Sequence, residues 1–396
     1  MNVLVINAGS SSLKYQLINM VDQQVLCKGQ VERIGIEGSF LKQKGGAEEA
    51  DIHAEIKNHN DAIQMVLEAL TDAKHGVVQS LEEIDAVGHR VLHGGEKFAD
   101  PVLVDEQVIH DLEAIADLGP LHMPANISGI KACQQAMPVP QVAVFDTGFH
   151  QTMPPKAYLY GLPYEAYEKH KVRRYGFHGT SHLFVSQRAA ELRGTEKGRM
   201  ITCHLGNGSS LCAILDGKCM DTSMGLTPLE GVVMGTRSGD MDPAIVKFIM
   251  EKEHKTIEEM DHYLNKESGV YGLSGVSSDF RDLAKAAAEG HQRAILALDV
   301  FIYRIQKYIG AYAAALGGVD TLVFTAGIGE NDAKMRKDIL TGMEWLGIQL
   351  DDEANQQRGE HKISAPDSKV EVWVIPTNEE LVIARETVRL AKQAKA

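Results

Sequence analysis

Two stretches decide the fold of this chain: INAGSSSLKYQLI at residues 6–18 and LGNGSSLCAILDG at residues 205–217. Each leads from an apolar run through a turn of small polar residues into a second apolar run. Short apolar runs broken by Gly/Ser clusters read as strands joined by a tight turn. In the first, residues 3–6 and 13–18 are the expected strands around the turn 7–12, and residues 25–31 continue as a third strand. In the second, residues 200–205 and 211–215 flank the turn 206–210, which is one residue shorter. One such unit in each half of a 396-residue chain indicates a duplication, one copy per domain.

Working outward, Ile63, Val66, Leu67 and Leu70 recur at helical spacing, so a helix is expected to start near residue 60. A strand at 86–89 runs into GHRVLHGG, and a buried strand at 142–145 ends on Asp146. Leu298, Ile302, Ile305, Ile309 and Tyr312 form a helical stripe that Gly317-Gly318 stops. A strand at 321–324, a loop at 327–329, a helix at 331–340, a strand at 370–375 and a terminal helix from about residue 380 complete the chain. Mixed βββ and βα units in two similar halves predict α/β domains with a cleft between them.

The chain carries 54 acidic against 40 basic residues, a net charge of -14. That balance argues against nucleic acid as a partner, because affinity there comes from basic residues on phosphates. The start, MNVLVINAG, lacks a basic region and its apolar run is too short for a signal peptide, and no run of about 18 apolar residues occurs. No membrane association and a cytoplasmic location are expected. Cys27, Cys133, Cys203, Cys212 and Cys219 show no C-x-x-C spacing and read as small buried residues of a reducing compartment.

The turns AGSSS and GNGSS expose several backbone N–H groups without bulky side chains, a form suited to phosphate oxygens. GIGEN after a buried strand adds a third such site. A Walker A loop is absent: residues 212–219 lack its first glycine and its final Ser/Thr. GIGEND also misses the third glycine of a dinucleotide fingerprint. Arg90 just past a strand and Arg237 in the Gly-flanked GTRSGD are cations in unusual places. His122 in LHMP, and His178 and His182 in YGFHGTSH, are candidates for anion contacts. Asp146 and Glu379 stand beyond strand ends, where α/β folds place reactive groups.

NAGSSSLKY, GHRVLHGG, VFDTGFHQTMP, YGFHGTSH, HLGNGSS, DTSMGLTPLEGVVMGTRSGD, TAGIGEN and PTNEEL, in this order, resemble the motifs of the acetate kinase family over nearly the whole chain. The resemblance implies two ribonuclease-H-like, actin/hexokinase-type domains with ATP in the cleft between them, and a homodimer. On that pattern residues 1–146 plus 381–396 form the N-terminal domain and 147–380 the nucleotide-binding one. Asn7 and Glu379 match metal positions, for Mg²⁺ or Mn²⁺. Lys14, His204, Leu205, Gly206, Asn207, Gly208, Asp279, Phe280, Arg281, Gly327, Ile328, Gly329, Glu330 and Asn331 match ATP positions. Arg90 matches the substrate-carboxylate position, with Leu92, Leu121, Phe177 and Pro228 around the acyl tail. Arg237 and His178 match positions that stabilise the transition state, with His122 beside them, and Asp146 matches the proton donor/acceptor.

The implied reaction is reversible, magnesium-dependent, in-line transfer of the ATP γ-phosphoryl group to acetate, giving acetyl phosphate and ADP; propionate is the alternative acceptor. A carboxylate is already ionised at pH 7 and needs no base. Catalysis then consists of positioning and charge stabilisation, and Asp146 is expected to orient Arg90 or a metal-bound water. A sugar or polyol kinase would instead need Asp146 as a base, and a non-catalytic ATP switch would need partner-binding segments. The apparent surplus of cations argues against the former and the lack of an appended domain against the latter.

Overall fold

The computed structural model describes residues 1–394, so positions 395 and 396 of the expected C-terminal segment lie outside the described residues. The chain divides into two compact units, Met1–Gly148 with the segment from Asn378 onward, and Phe149–Thr377.

The first unit is built on an eight-stranded sheet. Its strands are β1 (Asn2–Ala8), β2 (Ser12–Asn19), β3 (Gln24–Glu32), β4 (Phe40–Lys44), β5 (Ala50–His53), β6 (Ala86–Val91), β7 (Val102–Leu103) and β8 (Gln141–Phe145), in the order β5-β4-β3-β2-β1-β6-β8-β7. β1, β6 and β8 run parallel and the rest pair antiparallel. β4 and β5 were not foreseen: in FLKQK and ADIH polar residues alternate with few apolar ones, as on a sheet solvated on one side. The helix His59–Thr71 buries Ile63, Val66, Leu67 and Leu70 and is capped by the Asn58 side chain on Asp61 N. The terminal helix Glu379–Ala394 sets Ile383 and Ala384 on the opposite face, against Val3, Val5, Val142 and Val144.

The second unit holds six strands: β9 (Arg199–Leu205), β10 (Ser209–Leu215), β11 (Lys218–Thr222), β12 (Thr321–Thr325), β13 (His361–Lys362) and β14 (Glu371–Val374). Their order is β11-β10-β9-β12-β14-β13, with β9, β12 and β14 parallel. The series β3-β2-β1-β6-β8 of the first unit thus repeats as β11-β10-β9-β12-β14. The repeat extends to the hairpins: four residues separate the pair Ala8↔Leu13 and three separate Leu205↔Ser209. The long helix Gln292–Leu316 buries Phe301, Ile305, Ile309 and Tyr312 and ends on Gly317 at φ 70.

GIGEN departs from the expected loop. Residues Ala326–Asn331 form a short helix, and Asp332 breaks it before Ala333–Leu340. Ala326 enters this helix at φ 64, a left-handed conformation costly for a residue with a Cβ, and its N–H donates to Glu330 Oε1 at 2.8 Å. The cysteines are buried and free, though not all isolated: His150, Cys212 and Cys219 bring their donor atoms within 4.8 Å of one another. No helix among the described residues is long and apolar enough to cross a membrane.

Candidate active site

In the first unit the parallel pairing of β6 with β8 sets Val91 opposite Phe145, which brings Arg90 beside the residue that follows β8. Asp146 N donates to Val91 O at 3.0 Å, and the Asp146 carboxylate is fully buried. Arg90 meets it with two parallel bonds, Nε to Oδ1 at 2.9 Å and Nη2 to Oδ2 at 2.6 Å. A buried carboxylate without a cation is strongly unfavourable, and this bidentate pairing compensates it. Asp146 is the main reason the guanidinium stays firmly charged, and Glu379 and Glu380 add to the effect against the cost of burial.

Arg90 lines a cavity of about 350 Å³ together with Asn7, Lys14, Lys28, Glu379 and Glu380. Asn7 is the penultimate residue of β1 and faces Lys14 across the ladder; Glu379 opens the terminal helix. An amide oxygen and a carboxylate are hard oxygen donors, the set Mg²⁺ accepts, so these residues fit the implied metal. Leu92 is half-buried against the cluster of Val91, Met123 and Phe145, and its N–H donates to Asn126 Oδ1 at 2.9 Å. Leu121 is 57% exposed, and His122 is exposed at the N-cap of the helix Met123–Ala136.

In the second unit His178 sits at the N-cap of the helix Gly179–Arg193 with φ 58, a strained conformation of the kind that collects at functional sites. Its ring stacks on His204 at 4.0 Å, and its Nδ1 lies 2.9 Å from Ser210 Oγ. Ser210 Oγ also lies 2.8 Å from Nε2 of His182, which burial keeps neutral by pulling its pKa well down. Ser181 Oγ stands 2.7 Å from His204 Nδ1 and accepts from Thr377 Oγ1 at 2.8 Å.

Arg237 comes to the same place. A Cβ built on Gly208 would lie 3.5 Å from Arg237 Nη1 and 3.6 Å from His178 Nε2, so the GNGSS turn, the histidine and the arginine converge. Gly235 backs the turn closely: its N–H donates to Asn207 O at 2.9 Å, and a side chain there would collide with Asn207 Oδ1. The polar partners of Arg237 are Pro228 O at 3.2 Å and Met234 Sδ at 3.7 Å, with no carboxylate among the described residues. Burial accordingly lowers its pKa with nothing to offset it. A partly buried guanidinium without a counter-ion is prepared for an anionic ligand.

A second cavity, about 690 Å³, is lined by Gly206, Asn207, Asp279, Phe280, Arg281, Gly327, Ile328 and Asn331. These are eight of the residues assigned to ATP from the sequence. Asp279 caps the helix Phe280–Ala288, and its hydrogen bond from Arg281 foremost holds its pKa at about 2. Glu330 is occupied within the protein, accepting from Ala326 N and from Thr377 N at 3.1 Å. Phe177, 1% exposed, lies in the core of this unit, and Pro228 is half-buried. Ser210, Ser181 and Asn126 were missed by sequence reasoning. Ser181 and Ser210 lie inside YGFHGTSH and HLGNGSS, and Asn126 is a polar residue between Ala125 and Ile127; these were the available signals.

Residues 2–385 match the family described as the Acetokinase family. The chain belongs to that family. It is 61% identical to acetate kinase of Treponema denticola over 397 residues, covering 99% of this chain and 100% of that one. It is 60% identical to acetate kinase of Thermoanaerobacter pseudethanolicus, with both chains fully covered. Among solved structures it resembles Porphyromonas gingivalis acetate kinase, with TM-score 0.94, 50% identity, and 98% of this chain and 99% of that one covered. It also resembles a propionate kinase from Francisella tularensis, with TM-score 0.92, 43% identity and the same coverage. Family membership makes the protein a phosphotransferase with a carboxylate acceptor and ATP as co-substrate.

Proposed function

We propose that this protein is an acetate kinase that transfers the γ-phosphoryl group of ATP to acetate, giving acetyl phosphate and ADP, and does so in reverse. The relatives' names supply the acceptor. The observation that carries the chemistry is the convergence of Gly208, His178 and an Arg237 that has no carboxylate partner. Such a pocket suits a phosphoryl group whose charge spreads over its oxygens during transfer.

Arg90 uses Nε and one Nη2 proton on Asp146 and keeps three further N–H donors for the acetate carboxylate. Asp146 acts by orienting this guanidinium, and acetate attacks as the anion it already is. His204, Leu205 and the turn Gly206 to Gly208, with Asp279 to Arg281 and Gly327 to Asn331, hold the nucleotide. By their motif positions, Lys14 serves the nucleotide and His122 serves the transition state. Asn7 and Glu379 hold Mg²⁺, which screens phosphate charge when bound. Leu92, Leu121, Phe177 and Pro228 limit the acyl tail. The protein acts in the cytoplasm as a homodimer, for which the exposed Phe248, Ile257, Leu296 and Tyr303 of the second unit offer apolar surface.

The test is an acceptor panel of formate, acetate, propionate and butyrate, read as ADP formation with hydroxamate trapping of the acyl phosphate. Acetate should lead; no ADP formation with any carboxylate would end this reading. Propionate as the preferred acceptor is the second reading, favoured by the 43% identity to a propionate kinase. Light scattering tests the dimer.

A further inference from the structure

Besides Asp242, whose Oδ1 accepts from Ala244 N at 2.9 Å, the loop of Arg237 carries two carboxylates, Glu230 seven residues before it and Asp240 three residues after. Neither pairs with it, because each is held elsewhere. Glu230 Oε1 accepts from Arg174 Nη2 at 2.5 Å, and Oε2 accepts a short bond from Tyr160 Oη. Tyr160 Oη in turn accepts from Leu226 N at 3.0 Å. The group closes tightly over Gly225, where any side chain would collide with both Glu230 and Tyr160. Asp240 Oδ1 accepts from Gly231 N at 2.8 Å, and Oδ2 accepts at 2.6 Å from Tyr308 Oη on the helix Gln292–Leu316.

We propose that Tyr160 and Tyr308 are positioning residues that hold Glu230 and Asp240 away from Arg237, so that its guanidinium stays unpaired and available to the phosphoryl group. The inference deepens the kinase reading above and rests on it. Released, Glu230 has a cation within reach. Its Cα lies at most about 7 Å from that of Pro228, and Arg237 Nη1 already donates to Pro228 O at 3.2 Å. Burial raises the Glu230 pKa despite Arg174 and Tyr160, so this carboxylate gains by any further cation. A carboxylate on Arg237 would occupy the N–H edge that the phosphoryl oxygens need.

Steady-state kinetics on the full chain decide it. Tyr160→Phe keeps the ring and removes both hydrogen bonds of the hydroxyl, to Glu230 and from Leu226 N, so kcat should fall about tenfold while KM for ATP and for the acceptor stays within about twofold. The informative variant is Tyr160→Phe with Glu230→Gln, where the released side chain is neutral. Its kcat should return to within about threefold of wild type. A clamp that served folding alone would lose more activity on the second substitution, not less. Tyr308→Phe, alone and with Asp240→Asn, repeats the test on the other carboxylate and decides it if Tyr160→Phe does not fold. Wild-type kcat in the single variants, or no recovery in the doubles, overturns the proposal. The ratios are taken with whichever acceptor the wild type turns over, so they are read separately from the outcome of the acceptor panel.

Discussion

Asp146 grips Arg90 along one edge of the guanidinium, through Nε at 2.9 Å and Nη2 at 2.6 Å, from a fully buried position. That geometry suits the carboxylate to orienting Arg90, and a proton acceptor for the substrate is not required by the chemistry. Asp146→Asn keeps the shape and removes the charge. It should lower kcat/KM for acetate by about a hundredfold, since bonds to charged groups are worth roughly 1.5–3 kcal/mol each in their surroundings. The ATP KM should hardly move. A variant with normal acetate kinetics would show that Arg90 needs no such partner.

Arg237→Ala should cost on the order of 3 kcal/mol in the transition state, about a hundredfold in kcat, with circular dichroism unchanged. Arg237→Lys should recover little, because a point charge does not reproduce the planar fork. Full activity in the lysine variant would place the role in charge alone.

Glu379 and Glu380 both border the cavity with Asn7 and Arg90. Glu379→Ala should raise the magnesium concentration needed for half-maximal rate, and Glu380→Ala should shift it less. Magnesium titrations giving the opposite order would move the metal position to Glu380.

Leu92 packs against a core cluster, and it is also proposed for the acyl site. Leu92→Ala should cost on the order of 1–2 kcal/mol, below the range for a fully buried leucine. It should also raise propionate use relative to acetate severalfold, because one methylene is worth roughly 1–3 kcal/mol of discrimination. Loss of stability with an unchanged ratio of kcat/KM values would make Leu92 a core residue only.

His89 is buried beside Gln141, with Nε2 and Oε1 2.6 Å apart, and burial lowers its pKa to about 4. An unfolded histidine titrates near 6.5, so between these values the unfolded chain binds more protons. Stability should therefore be full above pH 6.5 and fall by up to about 3 kcal/mol as pH drops towards 4. His182, shifted in the same direction, adds to the loss. Urea unfolding at pH 7.5, 6 and 5 measures it. His89→Gln should flatten the dependence, and parallel curves for wild type and variant would contradict the assignment.

Repetition and apolar spacing were legible in the chain itself. INAGSSSLKYQLI and LGNGSSLCAILDG announced two like hairpins, and both occur at matching places in their sheets. The stripe from Leu298 to Tyr312 announced the long helix. Such features depend on neighbours within a few residues, so local sequence determines them. β4, β5 and the helical form of GIGEN were not legible, since pairing with distant strands and a strained Ala326 backbone select them. The site residues could be named from their motifs, but what each one touches could not. Arg90 meets Asp146 across 56 residues, and Ser210 joins His178 and His182 across 32 and 28. Which acids neutralise which arginines was decided only by tertiary structure. It left Arg237 without a carboxylate between Glu230 and Asp240, because a charge pairs with whatever the fold brings near it, and sequence distance does not limit that choice.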